Sequence, residues 1–174
     1  MSTTSVLSFA EFEQLADRPE KLELLDGELI VSPPANRHHH RVGTSCETYL
    51  WRYWPRGQVS FELAFKIHDH CLVPDVSVLY ADQPMDEEYW LGAPAIAIEV
   101  RSPSNTLAEL ERKIEVYLLN DIRPATEVWV VEEKRRSVTV YRAQGGAITL
   151  VRHTEPFTCT YGNAVIDPST FFAR

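Results

Sequence analysis

The stretch IAIEVRSPSNTLAELERKIEVYLLNDIRPATEVWVVEE, residues 96–133, contains the pattern that decides the fold. An apolar strand at 95–102 leads into a segment at 105–121 whose apolar residues recur at helical spacing, and a second apolar strand follows at 127–133. A strand, a helix and a strand in this order predict a βαβ unit with two parallel strands. Because the residues at 137–152 alternate like an antiparallel meander, we expect an α/β fold with a mixed β-sheet flanked by helices.

The residues before this unit give shorter signals of the same kind. Ser8 followed by Glu11 is a capping-box pattern, and Asp26-Gly27 is the commonest two-residue hairpin turn. Asn36 opens an amphipathic segment that ends before Pro55. These signals predict helices at 8–17 and 37–54, strands at 22–25, 28–31, 59–67 and 72–80, and a polar loop at 81–94.

Composition narrows the class of protein. A chain of 174 residues with 44% hydrophobic content is expected to fold as one domain, 1–174. It has no apolar run near the roughly 20 residues of a membrane helix and no secretory pattern at its N-terminus, so we expect no membrane partner and a cytoplasmic location. The three widely spaced cysteines suggest neither a disulfide framework nor a thiolate zinc site.

Two acidic residues interrupt predicted core strands. Glu99 follows Ala95 and Ala97 on one face of its strand, ahead of a helix, where α/β sheets usually place ligands. Asp75 interrupts the apolar strand at 72–80 in the same way. An unpaired buried carboxylate is destabilising by several kcal/mol, so the two acids require protons, basic partners or a cation.

A divalent metal would satisfy both carboxylates. Oxygen ligands suit Mg²⁺ or Mn²⁺, and the chemistry that such a site favours is metal-assisted phosphodiester hydrolysis. Lys113 lies at the edge of the apolar stripe of its helix, from which it can reach Glu99. A salt-bridge network of Asp75 and Glu99 with Arg101 and Lys113 that only fixes the sheet is the structural alternative.

An ordered set of motifs resembles the Uma-type family of restriction endonucleases, which belongs to the PD-(D/E)XK nuclease superfamily. The set comprises LELLDGEL, SPPANRH, VPDVSVLY, IAIEVRSPSN, Lys113 before Tyr117, and EVWVVEE, and it runs through nearly the whole chain. The resemblance implies a restriction-endonuclease-like core, a divalent metal and a homodimer that acts on nucleic acid, with DNA the expected substrate.

The resemblance also implies roles for individual residues. It makes Glu23, Asp75, Glu99 and Lys113 the catalytic set, with Asp75 and Glu99 as the metal ligands. The position two after Glu99 holds Arg101 where the superfamily pattern has lysine, and the Uma-type pattern places that lysine on the next helix, at Lys113. Arg101 is then expected to steady the phosphate, and His38 is the histidine expected to border the site.

Net charge leaves two other functions open. A formal charge of −8 disfavours a protein that grips long nucleic acid by counterion release. The alternatives to an endonuclease are therefore a catalytically silent module that binds nucleic acid or protein, and a structural protein whose buried charges specify a dimer.

Overall fold

The computed structural model describes residues 6–15, 20–32, 36–102 and 106–173. The α-helices are α1 (Phe9–Glu13), α2 (Arg37–Leu50) and α3 (Leu107–Leu119). The strands of the first half are β1 (Lys21–Leu25), β2 (Glu28–Ser32), β3 (Val59–Phe61), β4 (Phe65–Ile67), β5 (His70–Leu72), β6 (Val76–Val78) and β7 (Trp90–Leu91). Those of the second half are β8 (Ile96–Val100), β9 (Glu127–Glu132), β10 (Ser137–Gln144), β11 (Ala147–His153), β12 (Phe157–Thr158) and β13 (Val165–Ile166).

The predicted βαβ unit forms the centre of a six-stranded sheet with strand order β11-β10-β9-β8-β6-β3. Strands β8 and β9 are parallel and are joined through α3, whereas β6 and β10 flank them in antiparallel orientation. The expectation of a mixed sheet flanked by helices is therefore confirmed. The helix α3 packs on one face with Ala97, Val128 and Val130, and α2 packs on the opposite face with Ile96 and Ile98.

A second sheet has the order β2-β1-β5-β4-β7. Its β1-β2 hairpin turns at Asp26 and Gly27, whose φ angles of 53° and 74° are the positive values that this turn requires. A short strand, β7, lies within the segment expected to be a polar loop, and β4 pairs with it in parallel. The hairpin prediction was correct, and the loop prediction missed two residues of strand.

Two segments predicted as single strands are each divided between the two sheets. Glu62 adopts a φ of 50°, which ends β3, and the chain resumes as β4 in the other sheet. Likewise, the predicted strand at 72–80 is interrupted at Pro74 and Asp75, so that β5 and β6 belong to different sheets. The prediction of continuous strands was wrong because the alternation of apolar residues continues across each break and carries no signal of a change of sheet.

The helices are shorter than the sequence patterns indicated. The capping box of Ser8 and Glu11 is present, but α1 ends at Glu13, and the last residues of the predicted helix lie outside the described part of the chain. Asn36 caps α2 by accepting hydrogen bonds from the backbone of His38 and His39. Within the described residues no helix has the length and apolar character needed to cross a membrane. That residues 1–174 form one domain stays a prediction.

Candidate active site

Asp75 lies at the point where the chain passes from one sheet to the other. Its side chain is 5% exposed, and its carboxylate is held on both oxygens. Lys21 Nζ lies 2.9 Å from Oδ1, and the backbone N–H of Val100 donates to Oδ2 at 2.7 Å. Asp75 therefore links β1 of one sheet to the end of β8 in the other.

His39 is the third partner of this carboxylate. Its Nε2 lies 3.1 Å from Asp75 Oδ2 and 3.0 Å from the carbonyl oxygen of Val100, and because both of these atoms are acceptors, Nε2 carries the proton. Burial acts to raise the pKa of Asp75, yet the hydrogen bond from His39 and the charge of Lys21 outweigh it and hold that pKa at about 2. Asp75 is thus a carboxylate at neutral pH.

Glu99 is the less compensated of the two predicted metal ligands. It lies on the face of β8 that α3 covers, where the hydroxyl of Tyr117 donates to Oε1 at 3.3 Å and Lys113 Nζ lies 3.7 Å away. Burial raises the pKa of the Glu99 carboxyl to about 7, with Lys113 opposing and the charges of Asp75 and Glu23 adding to the increase. Near neutral pH this side chain is therefore divided between its protonated and ionised forms.

Glu23 and Lys113 form the closest buried ion pair of the site. Glu23, on β1, has no exposed surface; it accepts from Lys113 Nζ at 2.6 Å and from the backbone N–H of Val73 at 2.8 Å. Lys113 is buried because its neighbours on α3, Leu110 and Ile114, pack into the core between helix and sheet. Burial acts to lower the pKa of Lys113, but the charges of Glu99 and Glu23 raise it well above its usual range, so Lys113 remains a cation.

The four residues predicted as the catalytic set converge in space from separate parts of the chain. Glu23 comes from β1, Asp75 from the link between β5 and β6, Glu99 from β8 and Lys113 from α3. Each is buried, and the contacts with Lys113 join Glu23 to Glu99. A small cavity borders the group, and Glu99 and Lys113 are among the side chains that line it.

The two residues predicted to contact the substrate take different positions. Arg101 lines the cavity together with Glu99, with 39% of its side chain exposed. His38 is 76% exposed and faces Glu133 at 3.8 Å, whereas the neighbouring His39 contacts Asp75. The expectation that His38 borders the site therefore gains no support from its contacts, because α2 turns the next residue of the His38-His39-His40 run toward the sheet.

Sequence reasoning missed two residues of the site, Lys21 and His39. Lys21 shares the face of β1 with Glu23, two positions on, so the alternation of a strand was a usable signal. His39 precedes Val42 by three positions and Cys46 by seven, which places it on the buried stripe of α2, and that spacing was a usable signal too. Lys21 lies one residue before the predicted strand at 22–25, and His38 was the only histidine expected to border the site.

The balance of charge at this site fits a divalent cation. Three buried carboxylates face two lysines, and the charges of Asp75, Glu99 and Glu23 all raise the pKa of Lys21 against the effect of its burial. Lys21 Nζ is thus a positive charge held at Oδ1 of Asp75, one of the two predicted metal ligands. Among the described residues no three His, Cys, Asp or Glu side chains form a ready-made cage. Asp75 and Glu99 alone would leave an ion several waters, which is the coordination that Mg²⁺ favours.

The fold places the chain among proteins with a nuclease-like fold. A solved structure described as "a putative nuclease belonging to DUF820" from Anabaena variabilis ATCC 29413 matches this chain with a TM-score of 0.81 and 20% sequence identity. The match covers 95% of this chain and 97% of that chain. It shows the shared fold. None of the curated proteins matches the chain.

The sequence assigns the family. The model of the Uma2 family, described as "Putative restriction endonuclease", matches residues 9–165. The chain therefore belongs to the Uma2 family, and the resemblance seen in its motifs is confirmed. The matched region contains Glu23, Asp75, Glu99 and Lys113, and the description of the family indicates a nuclease.

Proposed function

We propose that this protein is a metal-dependent endonuclease that hydrolyses phosphodiester bonds of nucleic acid, with DNA as the expected substrate. The observation that carries the proposal is the convergence of Glu23, Asp75, Glu99 and Lys113, of which Glu99 and Lys113 line a cavity, with the pKa of Glu99 raised to about 7. A buried acid that binds a proton so tightly also has much to gain from a divalent cation. Membership of the Uma2 family supports the same reaction class.

Each side chain has a role that follows from its contacts. Asp75 and Glu99 would hold Mg²⁺ or Mn²⁺, which, when bound, supplies Lewis-acid activation of the phosphoryl group and of a water. Lys113 stays protonated, so it acts through its charge and its donated hydrogen bond, and it cannot serve as the base that removes a proton from water. Glu23 positions Lys113, and Arg101 is placed to stabilise the charge that develops on the phosphate.

Lys21 and His39 are proposed as positioning residues for Asp75. Together with the N–H of Val100 they fix the direction of its carboxylate before any ion binds. Because Lys21 Nζ occupies Oδ1, ion binding at that oxygen requires the lysine to move aside.

A nicking assay on supercoiled plasmid tests the proposal. The parent protein with Mg²⁺ or Mn²⁺ is expected to nick the plasmid, and EDTA is expected to stop it. Asp75→Asn and Glu99→Gln should lose the activity, whereas Asp69→Asn, an exposed acid in the turn between β4 and β5, should keep it. Nicking that persists equally in Asp75→Asn would mean that a contaminant or another site is responsible, and the proposal would fail.

The second candidate function is the structural one, in which these charges only fix the two sheets together. The observation that favours it is that both oxygens of Asp75 already have partners within the chain. Thermal unfolding with and without Mn²⁺ separates the two. A stabilisation by the ion that Asp75→Asn abolishes supports the nuclease, and the same melting temperature with and without the ion supports the structural network.

The assembly and location remain part of the proposal. A homodimer is proposed from the family resemblance, and light scattering coupled to size-exclusion chromatography would measure its mass directly. The cytoplasm is the proposed compartment because Cys46, Cys71 and Cys159 are all free and buried thiols, which suits a reducing environment.

A further inference from the structure

Three arginines meet on one carboxylate at the end of the six-stranded sheet. The Glu132 arginine cluster consists of Arg101, Arg135 and Arg152 around Glu132. Their guanidinium nitrogens lie 3.5, 3.5 and 3.9 Å from its carboxylate oxygens, in that order. The three arginine side chains are 39%, 60% and 50% exposed, whereas that of Glu132 is 14% exposed. One carboxylate cannot neutralise three guanidinium groups, so the cluster itself carries two uncompensated positive charges. Glu109 is a further acid on the wall of the cavity that Arg101 lines.

The hydrogen bonding of the cluster is incomplete as well. Glu132 Oε2 is buried and has no hydrogen-bond partner, so Arg135 and Arg152 approach it only as ion pairs. Within the described residues the guanidinium group of neither arginine donates a hydrogen bond, whereas that of Arg101 makes one long contact of 3.5 Å. Most guanidinium donors of the cluster are therefore available to an external acceptor, and phosphate is the group whose geometry a guanidinium fork fits.

The cluster extends directly from the candidate active site. Arg101 lies two residues after Glu99, directly beyond the end of β8, and lines the same cavity. Arg152 lies in one cross-strand row with Glu99, because Glu99 pairs with Val130, Val130 with Thr139, and Thr139 with Arg152. Three strand spacings of about 4.8 Å place Arg152 roughly 14 Å from Glu99 along the sheet.

We infer that the Glu132 arginine cluster is the surface that holds the phosphate backbone of the nucleic acid as it leaves the cleavage site. The inference rests on the proposed nuclease function. It explains how a chain with a net charge of −8 could bind a polyanion, because the arginines concentrate positive charge next to the acids of the candidate active site. A span of roughly 14 Å corresponds to about four phosphates of one duplex strand at 3.4 Å each along the helix axis. Arg135 and Arg152 are then phosphate-binding residues that take no part in the chemical step.

Fluorescence anisotropy in EDTA tests the inference without turnover. The probes are a labelled 20-base-pair DNA duplex, a single DNA strand and an RNA strand, each titrated at several NaCl concentrations. Arg135→Ala with Arg152→Ala removes two phosphate contacts, so the slope of log K against log salt should fall by about 1.8 for the duplex or about 1.4 for a single strand. The affinity at 0.1 M salt should fall by roughly 60-fold, or about eightfold for each contact.

The matched control is Arg52→Ala with Arg56→Ala. These two exposed arginines follow the C-terminal end of α2, the helix that packs on the opposite face of the sheet, and stack on Tyr49 and Trp51. The change in net charge is the same, so a general electrostatic effect would weaken binding equally in both double variants. Exposed ion pairs contribute only about 0 to 1 kcal/mol, so circular dichroism should show both variants to be folded.

Each outcome separates the inference from the function on which it rests. If the parent binds and both double variants weaken equally, the cluster is not the binding surface, while the nuclease proposal stands. If the cluster variant alone loses affinity but the parent nicks no plasmid, the surface is supported and catalysis is overturned. In a nicking protein, the cluster variant should raise KM and leave kcat unchanged. If the parent binds none of the three probes, both proposals fall.

Discussion

Replacing Glu99 by glutamine removes a buried carboxyl group whose charged form is disfavoured in the folded protein. The pKa of Glu99 is raised from 4.5 to about 7, so the folded state binds this proton more tightly than the unfolded chain does. The stability that it contributes is complete below pH 4.5, falls as the pH rises toward 7, and is lost above it. A difference of about 2.5 pKa units corresponds to about 3 kcal/mol. Glutamine has nearly the same shape and does not ionise.

Glu99→Gln should therefore be more stable than the parent, and by an amount that grows with pH. We expect a gain in the free energy of unfolding of under about 1 kcal/mol at pH 5 and about 3 kcal/mol at pH 8. Urea unfolding followed by tryptophan fluorescence in EDTA measures this difference, since Trp129 is fully buried. Glu115→Gln, which changes an exposed glutamate on α3, serves as the control and should show little difference at either pH.

The addition of Mn²⁺ should reverse the comparison. The parent gains stability because the ion binds only its folded form, whereas Glu99→Gln has lost a ligand and gains less. A Glu99→Gln protein that is less stable than the parent at pH 8 in EDTA, or a gain that does not change between pH 5 and pH 8, would refute the reasoning. It would mean that burial of this carboxylate is already compensated by Lys113 and Tyr117.

Three other substitutions test the same charges. Asp75→Asn should lower the free energy of unfolding by about 2 kcal/mol at pH 7, because the folded pKa of Asp75 is about 2 and its usual value is 3.8. Urea unfolding should show this difference vanish as the pH falls toward 2. Lys113→Met leaves Glu23 buried without its cation and should be destabilising by about 3 to 5 kcal/mol. Glu23→Gln should partly restore the stability. A decrease in the free energy of unfolding of under about 1 kcal/mol would contradict the buried ion pair. Lys21→Met removes the ammonium group from Asp75 Oδ1 and should tighten Mn²⁺ binding about tenfold, or by about 1.4 kcal/mol. Isothermal titration calorimetry measures this change. Weaker binding would show that Lys21 assists the ion and does not compete with it.

The central part of the fold could be predicted because its signals are long and local. The segment at 96–133 shows strand and helix periodicities over many residues, and β8, α3 and β9 formed as expected. The two-residue turn at Asp26-Gly27 was equally clear, because positive φ angles restrict the residues that can occupy it. Local chemistry determines these elements, so a single sequence suffices.

The division of the chain between two sheets could not be predicted, because it depends on distant partners. At Glu62 the chain leaves one sheet and joins the other while its side chains continue to alternate. Pro74 and Asp75 mark a second crossing that reads in sequence as one apolar strand. Periodicity reports which face of a strand is buried, and it does not report which strand lies beside it.

Asp75 and Glu99 could be predicted from their unfavourable position in apolar strands. The basic residues that contact Asp75 could not be predicted in this way. Asp75 and Glu99 stand out because a carboxylate in an apolar strand requires an explanation. Lys21 and His39 look like ordinary polar residues at the edge of a hairpin and in a histidine run, although both contact Asp75. Their role became visible only when the fold brought residues more than 30 positions apart into contact.

The position of Asp75 between the two sheets also bears on when the protein can become active. One of its oxygens is tied to β1 in the first sheet and the other to the end of β8 in the second, so the carboxylate has its final direction only when both sheets have formed and docked. Lys113 arrives later still during synthesis, with α3. A nascent or partly unfolded chain would therefore lack an assembled centre, and the proposed activity would begin only once both sheets and α3 are in place.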